Sequence, residues 1–415
     1  MKKLKNVSLL CALFLFLVGC QLDNQQEIIY IDSGKAETTE SSGQDSEKEL
    51  VADSDWLNLD QQLSDNWEFK AANDVDGLLA SPVQIRPIGE AEGDSFEIIA
   101  IFSKKSSAYD TALNSMLTLF QGRGIPAEIL VLNGENEGEI IESAYAHAQS
   151  ENPDLILSFG SKATAWIHDN DTKGTIPVLS VTSKDPVLMG QVTDYESGSG
   201  THIAYTSLNI PIELQLSYLK QFRPELKTIG ILYAENNSSA VVTQVDPLVE
   251  AAEADGIEIV HFVVKDQGDA QAELEAMMPN LIEQMTANDP DNQQSILWIT
   301  GSTSVFNEIQ TINQHADDIP ILSVVTDVTT AGENSAMLSI GVSFESNALM
   351  AAIFAERILN GEAAGDLPVG VVTPPDIAIN FSKAAASGVN IPFTFFESAN
   401  FIYDMEEAQV RAYGQ

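Results

Sequence analysis

Two predicted strands that follow one another along the chain both end in small polar residues. Residues 155–158 and 177–181 are short apolar runs bounded by turn residues, which is typical of strands buried on both faces. The polar residues at these two ends are Ser158, Ser161, Thr182, Ser183 and Asp185. Because the first N–H groups of a helix lack partners, hydroxyls beside them predict a pocket for a small polar ligand. Ordinary helix capping and turn formation are the alternative interpretation.

Strand and helix patterns alternate from residue 96 onward. Predicted strands cover 96–102, 127–132, 155–158, 177–181, 228–233, 258–264, 295–299 and 320–324. Predicted helices between them cover 109–121, 139–148, 161–168, 241–254, 270–285 and 304–315. This alternation predicts parallel sheets built from βαβ units. Because it occurs in two series, we predict two α/β lobes that hold a ligand between them and close by a hinge motion.

The first twenty residues resemble a bacterial lipoprotein signal peptide. Three lysines in the first five positions precede an apolar stretch over 7–18, which is too short for a mature membrane span. The stretch ends in Leu17-Val18-Gly19-Cys20, which resembles a lipobox in all four positions. The resemblance implies cleavage before Cys20 and acylation of its thiol, with a plain signal peptide as the alternative. The lipid would anchor the protein at the outer or inner membrane of a Gram-negative cell, facing the periplasm, or on the outer face of a Gram-positive plasma membrane.

Cleavage at this point would also remove Cys11, the other cysteine of the chain. The mature chain would then have no cysteine for a disulfide, a thiolate nucleophile or a zinc site of the cysteine type.

The chain is strongly acidic. Its 61 Asp and Glu residues against 20 Lys and Arg residues give a formal net charge of −41. Such a surface repels nucleic-acid phosphates and anionic lipid head groups, so neither is an expected partner. The charge suits a salt-adapted protein or simply an acidic secreted one.

Residues 21–94 are rich in Glu, Asp, Gln and Ser and are predicted to form an acidic flexible tether. Aromatic clusters around Trp56 and Trp67 interrupt this composition. We interpret them as a small strap that packs on the domain, with a separate contact site as the alternative.

A series of short motifs runs through the globular part in a fixed order. The motifs include Ser158-Phe159-Gly160-Ser161-Lys162-Ala163, Ile176-Pro177-Val178, Asp185-Pro186-Val187, Phe222-Arg223-Pro224, Ile319-Pro320-Ile321, Ile358-Leu359-Asn360-Gly361 and Gly388-Val389-Asn390-Ile391-Pro392. With these motifs, residues 96–404 resemble the periplasmic binding protein type 1 fold. Within that fold they resemble the ABC-transporter substrate-binding lipoproteins that include tryptophan- and tyrosine-type components.

The resemblance implies two Rossmann-like lobes joined by a multi-strand hinge and preceded by a lipidated tether. The predicted bounds are 1–20 for the signal peptide, 21–94 for the tether, 95–205 for the first lobe with part of 325–350 returning to it, 206–324 for the second lobe with about 351–404 completing it, and 405–415 for a tail.

In this family the ligand lies against the strand ends of the first lobe and the first helix of the second lobe. By position, the implied ligand-binding residues are Ser103, Ser106, Ser158, Ser161, Thr182, Ser183, Asp185, Tyr233, Asn236, Asn237, Ser238, Thr300, Ser302 and Asp327. Hydroxyls and helix amides can hold a carboxylate, Asp327 can hold an ammonium, and Tyr233 can stack on a ring. These residue types therefore fit an amino-acid-like solute.

Enzymatic chemistry is not predicted. The five histidines are scattered along the chain, and none has the spacing of a metal-binding pair. The sequence also lacks a Gly-x-Ser-x-Gly elbow, a P-loop and a dinucleotide fingerprint after a strand. We therefore expect no catalytic residue, no cofactor and no metal.

The predicted function is that of an extracytoplasmic, membrane-anchored lipoprotein for ABC transport. It would capture a small polar solute between its lobes, act as a monomer and deliver the solute to an ABC permease. The alternative is a non-transport lipoprotein of the same fold, either an activator of a cell-wall synthase or the partner of a signalling receptor.

Overall fold

The computed structural model describes residues 56–72, 82–89, 95–171, 173–265, 267–406 and 408–412, which fall within one compact unit, Lys48–Gln415. The predicted signal peptide, Cys20 and the first part of the predicted tether lie outside the described residues. No helix in the described part of the chain is long and apolar enough to cross a bilayer.

The strands are β1 Trp67–Ala71, β2 Val83–Pro87, β3 Phe96–Phe102, β4 Ala127–Asn133, β5 Leu155–Phe159, β6 Val178–Val181, β7 Ile203–Ala204, β8 Thr206–Ser207, β9 Thr228–Ala234, β10 Glu258–Val264, β11 Ser295–Ile299, β12 Ile321–Ser323, β13 Leu338–Gly341, β14 Gly370–Val371, β15 Asp376–Asn380, β16 Phe401–Tyr403 and β17 Gln409–Arg411.

The α-helices are α1 Ser107–Arg123, α2 Gly138–Glu151, α3 Ser161–Asn170, α4 Ile212–Phe222, α5 Ser238–Ala240, α6 Asp246–Ala254, α7 Ala270–Asn288, α8 Thr303–Phe306, α9 Ile309–His315, α10 Phe344–Leu359, α11 Phe381–Ala386 and α12 Phe393–Ser398. A π-helix, Val241–Val245, joins α5 to α6, and 3₁₀ turns cover Gln61–Asp65, Gln267–Asp269, Thr326–Val328 and Ala364–Asp366.

The first lobe is built on a seven-stranded sheet in the order β1-β2-β4-β3-β5-β6-β7. Strands β3 to β7 run parallel, as expected for apolar strands with helical connections. Strand β5 is buried along its whole length, so its polar end at Ser158 is fixed at the carboxyl edge of the sheet.

The two strands at the edge of this sheet fall inside the range predicted as a flexible tether. Strand β2 pairs antiparallel with β4, and β1 pairs antiparallel with β2. Trp67 is buried, and Val83 and Ile85 alternate inward along β2. The tether prediction is therefore wrong for these strands, because their alternating apolar residues extend the sheet. A strap that packs on the domain describes them correctly.

The second lobe is built on an eight-stranded sheet in the order β10-β9-β11-β12-β13-β15-β16-β17. Strands β10, β9, β11, β12 and β13 run parallel, and β15 pairs antiparallel with β13. Parallel strands place their carboxyl ends at one edge, so the loops after β9, β11 and β12 lie together.

The chain passes between the lobes three times: after β8, between β13 and α10, and between β14 and β15. The crossings after β8 and β14 are joined, because Thr206 pairs with Gly370 and Ser207 with Val371 in a short parallel ladder. These neighbouring crossings form the multi-strand hinge.

The segment that returns to the first lobe is α10, which begins at Phe344 inside the predicted range 325–350 and continues beyond it to Leu359. Ala351 and Ala355 of α10 are fully buried in one cluster with Leu113 and Met116 of α1. Small side chains allow the two helices to approach closely. Strand β13 remains in the second sheet, and only the chain from β15 onward completes that lobe.

Candidate ligand-binding site

Hydroxyl groups at the ends of β5 and β6 bond to one another inside the first lobe. Ser158 Oγ lies 3.0 Å from Thr164 Oγ1, which lies 3.0 Å from Ser183 Oγ. Ser161 Oγ accepts a hydrogen bond of 2.9 Å from the backbone N–H of Lys184. Ser158, Ser161 and Ser183 therefore hold the wall of the site in place.

Ser103 is also bonded within the protein. Its Oγ donates to the Phe159 carbonyl at 2.8 Å and accepts from the Ala163 N–H at 2.9 Å. Gly160 has a positive φ of 88°, and a side chain there would overlap the Tyr109 hydroxyl. Burial raises the pKa of Tyr109 to about 12, although its hydrogen bond with Ser103 acts in the opposite direction. This corner of the site is tightly packed.

The carboxylate of Asp185 accepts hydrogen bonds from the turn that follows β6. Its Oδ1 accepts the N–H groups of Val187 at 2.9 Å and Leu188 at 3.0 Å. Its Oδ2 accepts the Tyr195 hydroxyl at 2.6 Å. The turn-forming interpretation of Asp185 thus accounts for both carboxylate oxygens.

Ser106 and Thr182 differ from these residues. Ser106 is the N-cap residue of α1 and Thr182 follows β6, and both are only 5% exposed. Neither side-chain oxygen has a hydrogen-bond partner among the described residues. Thr182 also has a φ of 55°, which is unusual for a β-branched residue, and its N–H donates to Asn347 Oδ1 at 2.8 Å. Strain and unpaired hydroxyls of this kind are typical of binding sites.

Lys184 reaches from the first lobe to the second. The residue follows β6, is 8% exposed and forms no ion pair within the described residues. A side chain at Gly301, after β11 of the second lobe, would overlap Lys184 Nζ. The same position lies 3.2 Å from Gln244 Oε1, which accepts the Gly301 N–H at 2.7 Å. Burial lowers the pKa of Lys184 to about 8.

Predicted residues of the second lobe bond mainly to each other. Thr300 Oγ1 donates to the Leu232 carbonyl at 2.9 Å and to Ser302 Oγ at 3.3 Å. Asn237 Nδ2 donates to Ser302 Oγ at 3.4 Å, and Asn237 Oδ1 caps α5. Thr300, Ser302 and Asn237 therefore connect the ends of β9 and β11.

The Tyr233 side chain contacts β10, the edge strand of the second sheet. Its hydroxyl lies 3.3 Å from His261 Nδ1 on β10, an exposed position. Side chains alternate faces along β9, so Tyr233 points away from the buried Leu232. Asn236 and Ser238 are exposed in the turn that follows. The structure does not bring Tyr233 together with Lys184 or Thr182.

A cavity of about 360 Å³ opens between α1 of the first lobe and the second lobe. Its lining residues are Ser107, Thr111, Phe306, Asn307, Ile309, Asp327, Val328, Thr330, Asn334 and Phe344. Asp327 is the predicted site residue in this lining. Although its carboxylate is accessible, loss of hydration in the cleft wall raises its pKa, and the nearby Asp376 charge acts in the same direction. Loss of hydration and the charges of Asp327 and Asp376 also raise the pKa of Glu345.

A larger cavity of about 480 Å³ lies on the surface of the second lobe between α4 and α6. The ion pair between Lys220 and Asp255 spans it. None of the predicted site residues lines this groove, so its size does not make it the functional site.

The polar groups of the cleft have complementary signs. Gly301, which contacts Lys184, follows β11, and Asp327 follows the neighbouring parallel strand β12. The Lys184 ammonium therefore lies near the end of β11 and the Asp327 carboxylate near the end of β12, although neither charge shifts the pKa of the other. Such an arrangement can hold a small molecule that carries both an anionic and a cationic group.

Two α/β lobes with three crossings define the periplasmic binding protein type 1 fold, and similar solved structures share this fold. A conserved domain protein from Vibrio cholerae has a TM-score of 0.60 at 19% identity, covering 74% of this chain and 100% of that one. The ABC domain in complex with L-Trp from Streptococcus pneumoniae has a TM-score of 0.58 at 18% identity, covering 74% and 99%.

The particular family follows from the sequence match. Residues 123–400 match the family of ABC transporter substrate binding proteins, and the chain belongs to this family. A tyrosine-binding protein from Clostridioides difficile (strain R20291) is 23% identical over 250 residues, or 60% of this chain and 67% of the relative. The ligand-free, open structure of a substrate-binding protein with adhesive properties from Clostridium difficile has a TM-score of 0.53 at 22% identity, covering 73% and 98%.

Sequence reasoning missed Lys184, Gln244 and Asn347. Asn347 is fully buried on α10, where its Oδ1 accepts the Thr182 N–H and its Nδ2 donates to the Ser207 carbonyl at 3.2 Å. Lys184 stands between two predicted residues, Ser183 and Asp185, and this position was the one available signal. Gln244 and Asn347 lie on helices whose packing only the fold reveals.

Proposed function

We propose that this protein is an extracytoplasmic solute-binding lipoprotein that captures a small, amino-acid-like ligand between its lobes and delivers it to an ABC permease. The observation that carries the proposal is the mostly buried side chain of Lys184, whose ammonium lies beside Gly301 of the second lobe and forms no ion pair within the described residues. A buried charge without a partner is costly, and a bound anion would offset that cost.

The cleft chemistry supports an amino-acid-like ligand. A ligand carboxylate would bind Lys184, and a ligand ammonium would bind Asp327 or Glu345. Thr182 and Ser106 would add hydrogen bonds from hydroxyls that otherwise have no partner. The tyrosine-binding relative from Clostridioides difficile and the L-Trp complex from Streptococcus pneumoniae agree with this ligand class.

A thermal-shift screen with the standard amino acids, simple amines and neutral sugars tests the ligand class. A ligand that binds only the folded state at about 100 times its Kd stabilises it by about 2.7 kcal/mol. We expect at least one amino acid to raise the melting temperature, and the sugars to have no effect. If no solute raises it and calorimetry also detects no binding, the proposal is wrong.

The transport role needs its own experiment. Cells that lack the protein should take up the identified solute more slowly, and the Lys184→Met variant should fail to restore uptake. The Lys220→Met variant changes a lysine of the outer groove and is the matched control. Normal uptake in cells without the protein would refute the role in transport.

We also propose that the mature chain begins at Cys20, carries a lipid there and works as a monomer without catalytic chemistry. Detergent phase partitioning of the wild-type protein and of Cys20→Ala tests the anchor. The wild-type protein should enter the detergent phase and the variant should remain in the aqueous phase.

A further inference from the structure

Burial distinguishes Lys184 from the other described lysines of the first lobe: it is 8% exposed, and no described residue accepts a hydrogen bond from its ammonium. Its main chain is fixed independently of its ammonium, because the Lys184 N–H donates to Ser161 Oγ at 2.9 Å. The side chain then extends to the second lobe, where the absence of a side chain at Gly301 makes room for Nζ. The position of the ammonium is thus built by both lobes.

Several other lysines in the described part of the chain have acceptors, whereas Lys104, which is only half-buried, shares the lack of one with Lys184. Lys220 pairs with Asp255, Lys162 donates to the Asn136 carbonyl, and Lys383 donates to Asn313 Oδ1. Lys184 is more buried than these residues, yet no described residue is recorded as accepting from its ammonium. Packing alone does not account for a charged side chain at this buried position.

The neighbours of the Lys184 ammonium are neutral. Gln244 contributes an amide whose Oε1 already accepts the Gly301 N–H at 2.7 Å. Thr182, two residues before Lys184, has a buried hydroxyl without a partner. The missing component at this point is therefore an anionic acceptor of hydrogen bonds.

We propose that Lys184 is the anchor for a carboxylate of the ligand and makes the cleft selective for carboxylate-bearing solutes over amines and neutral solutes. This inference rests on the proposed function and adds that the selectivity of the cleft for carboxylate-bearing solutes depends on Lys184. Because Lys184 contacts Gly301 across the cleft, a carboxylate bound there would touch both lobes and favour the closed form. An exposed lysine would give far weaker selectivity, since water screens its charge.

Nuclear magnetic resonance of ¹³C-methylated lysines tests the anchor directly. Reductive methylation keeps the charge of each lysine, and comparison with Lys184→Met assigns the Lys184 signal. The probes are acetate, L-tyrosine, L-tryptophan, tyramine and inorganic phosphate. We expect acetate and at least one of the two amino acids to raise the titration midpoint of Lys184 by about one to three pH units. Tyramine, which lacks the carboxylate, should leave the midpoint unchanged.

The outcomes separate this inference from the proposed function. A midpoint that no carboxylate changes would overturn the anchor, even if an amino acid still raises the melting temperature. A response to phosphate alone would overturn the assignment to a carboxylate. Lys184→Gln and Lys184→Arg provide a second measurement by calorimetry. The glutamine variant should bind at least tenfold more weakly, and the arginine variant should retain part of the affinity.

Discussion

Buried polar side chains at the strand ends of the two lobes differ in their hydrogen bonding. In the first lobe, the buried hydroxyls of Ser106 and Thr182 have no hydrogen-bond partner in the described chain, and the mostly buried Lys184 forms no ion pair there. In the second lobe, Thr300 and Ser302 are fully buried but bond to each other and to the backbone. Unsatisfied buried groups raise the free energy of a protein unless a ligand completes them. We infer that the first lobe supplies the hydroxyls and the ammonium that meet the ligand, whereas Thr300 and Ser302 of the second lobe form an internally bonded wall beside the Asp327 carboxylate.

The largest effect that tests this contrast is expected from Lys184→Met. Burial lowers the pKa of Lys184 from 10.5 to about 8, so between these values the unfolded chain binds more protons than the folded protein. The stability contributed by this group therefore rises with pH in that window, and below pH 8 the folded protein bears the whole cost of the buried charge. We expect Lys184→Met to raise the free energy of unfolding by about 3 kcal/mol at pH 7. The gain should shrink toward pH 10.5.

Chemical denaturation of both proteins from pH 6 to pH 10.5 measures this difference. Lys220→Met removes an exposed ion pair and serves as the control, with an expected change below about 1 kcal/mol. A constant difference between Lys184→Met and the wild-type protein across the pH range would show that the ammonium carries no burial cost.

The second-largest effect is expected at the second lobe, from Thr300→Val. The substitution preserves shape but removes the hydrogen bonds to the Leu232 carbonyl and Ser302 Oγ. We expect the free energy of unfolding to fall by about 1–3 kcal/mol. The affinity for the ligand found in the thermal-shift screen should remain within twofold of the wild-type value. If Thr300→Val weakens binding and leaves stability unchanged, the Thr300 hydroxyl itself contacts the ligand, and the contrast between the strand ends of the two lobes is wrong.

Sequence periodicity was sufficient to predict the two sheets. Strands such as Leu155–Phe159 and Thr228–Ala234 are continuous apolar runs, and their buried faces follow from that pattern. The lobe to which α10 belongs was not predictable, because an alanine-rich helix face fits either sheet until its partner helix is known. The strands β1 and β2 were not predicted, because the acidic composition around them indicated a flexible tether.

The candidate site was predicted only in part, for a similar reason. Ser106 and Thr182 could be named because they follow apolar runs, and position along a strand is local information. Whether a hydroxyl is bonded inside the protein, as at Ser103, depends on residues more than fifty positions away. The isolation of the Lys184 charge depends on Gly301 and Gln244 in the other lobe, which no local pattern connects to it.

A smaller effect is expected from Thr182→Gly, which separates strain from recognition. Glycine adopts the φ of 55° without the penalty of a β-branched side chain, so stability should rise by up to about 1 kcal/mol. Loss of the unpaired hydroxyl should weaken ligand binding by about 0.5–1.5 kcal/mol, measured by calorimetry. Thr182→Ser retains the hydroxyl and should bind like the wild-type protein. Equal binding by the glycine and serine variants would remove Thr182 from the recognition surface.

The smallest change in stability is expected from Ser106→Ala, with Ser103→Ala as its matched control. Both serines are buried near the end of β3, but Ser106 Oγ has no hydrogen bond, whereas Ser103 Oγ bonds to the Phe159 carbonyl, the Ala163 N–H and Tyr109. We expect Ser106→Ala to change the free energy of unfolding by less than about 0.5 kcal/mol and to weaken binding a few fold. Ser103→Ala should lower stability by about 1–3 kcal/mol, because it leaves the Ala163 N–H without its acceptor. If the two variants lose equal stability, the Ser106 hydroxyl has a hydrogen-bond partner within the protein and is not available to bind a ligand.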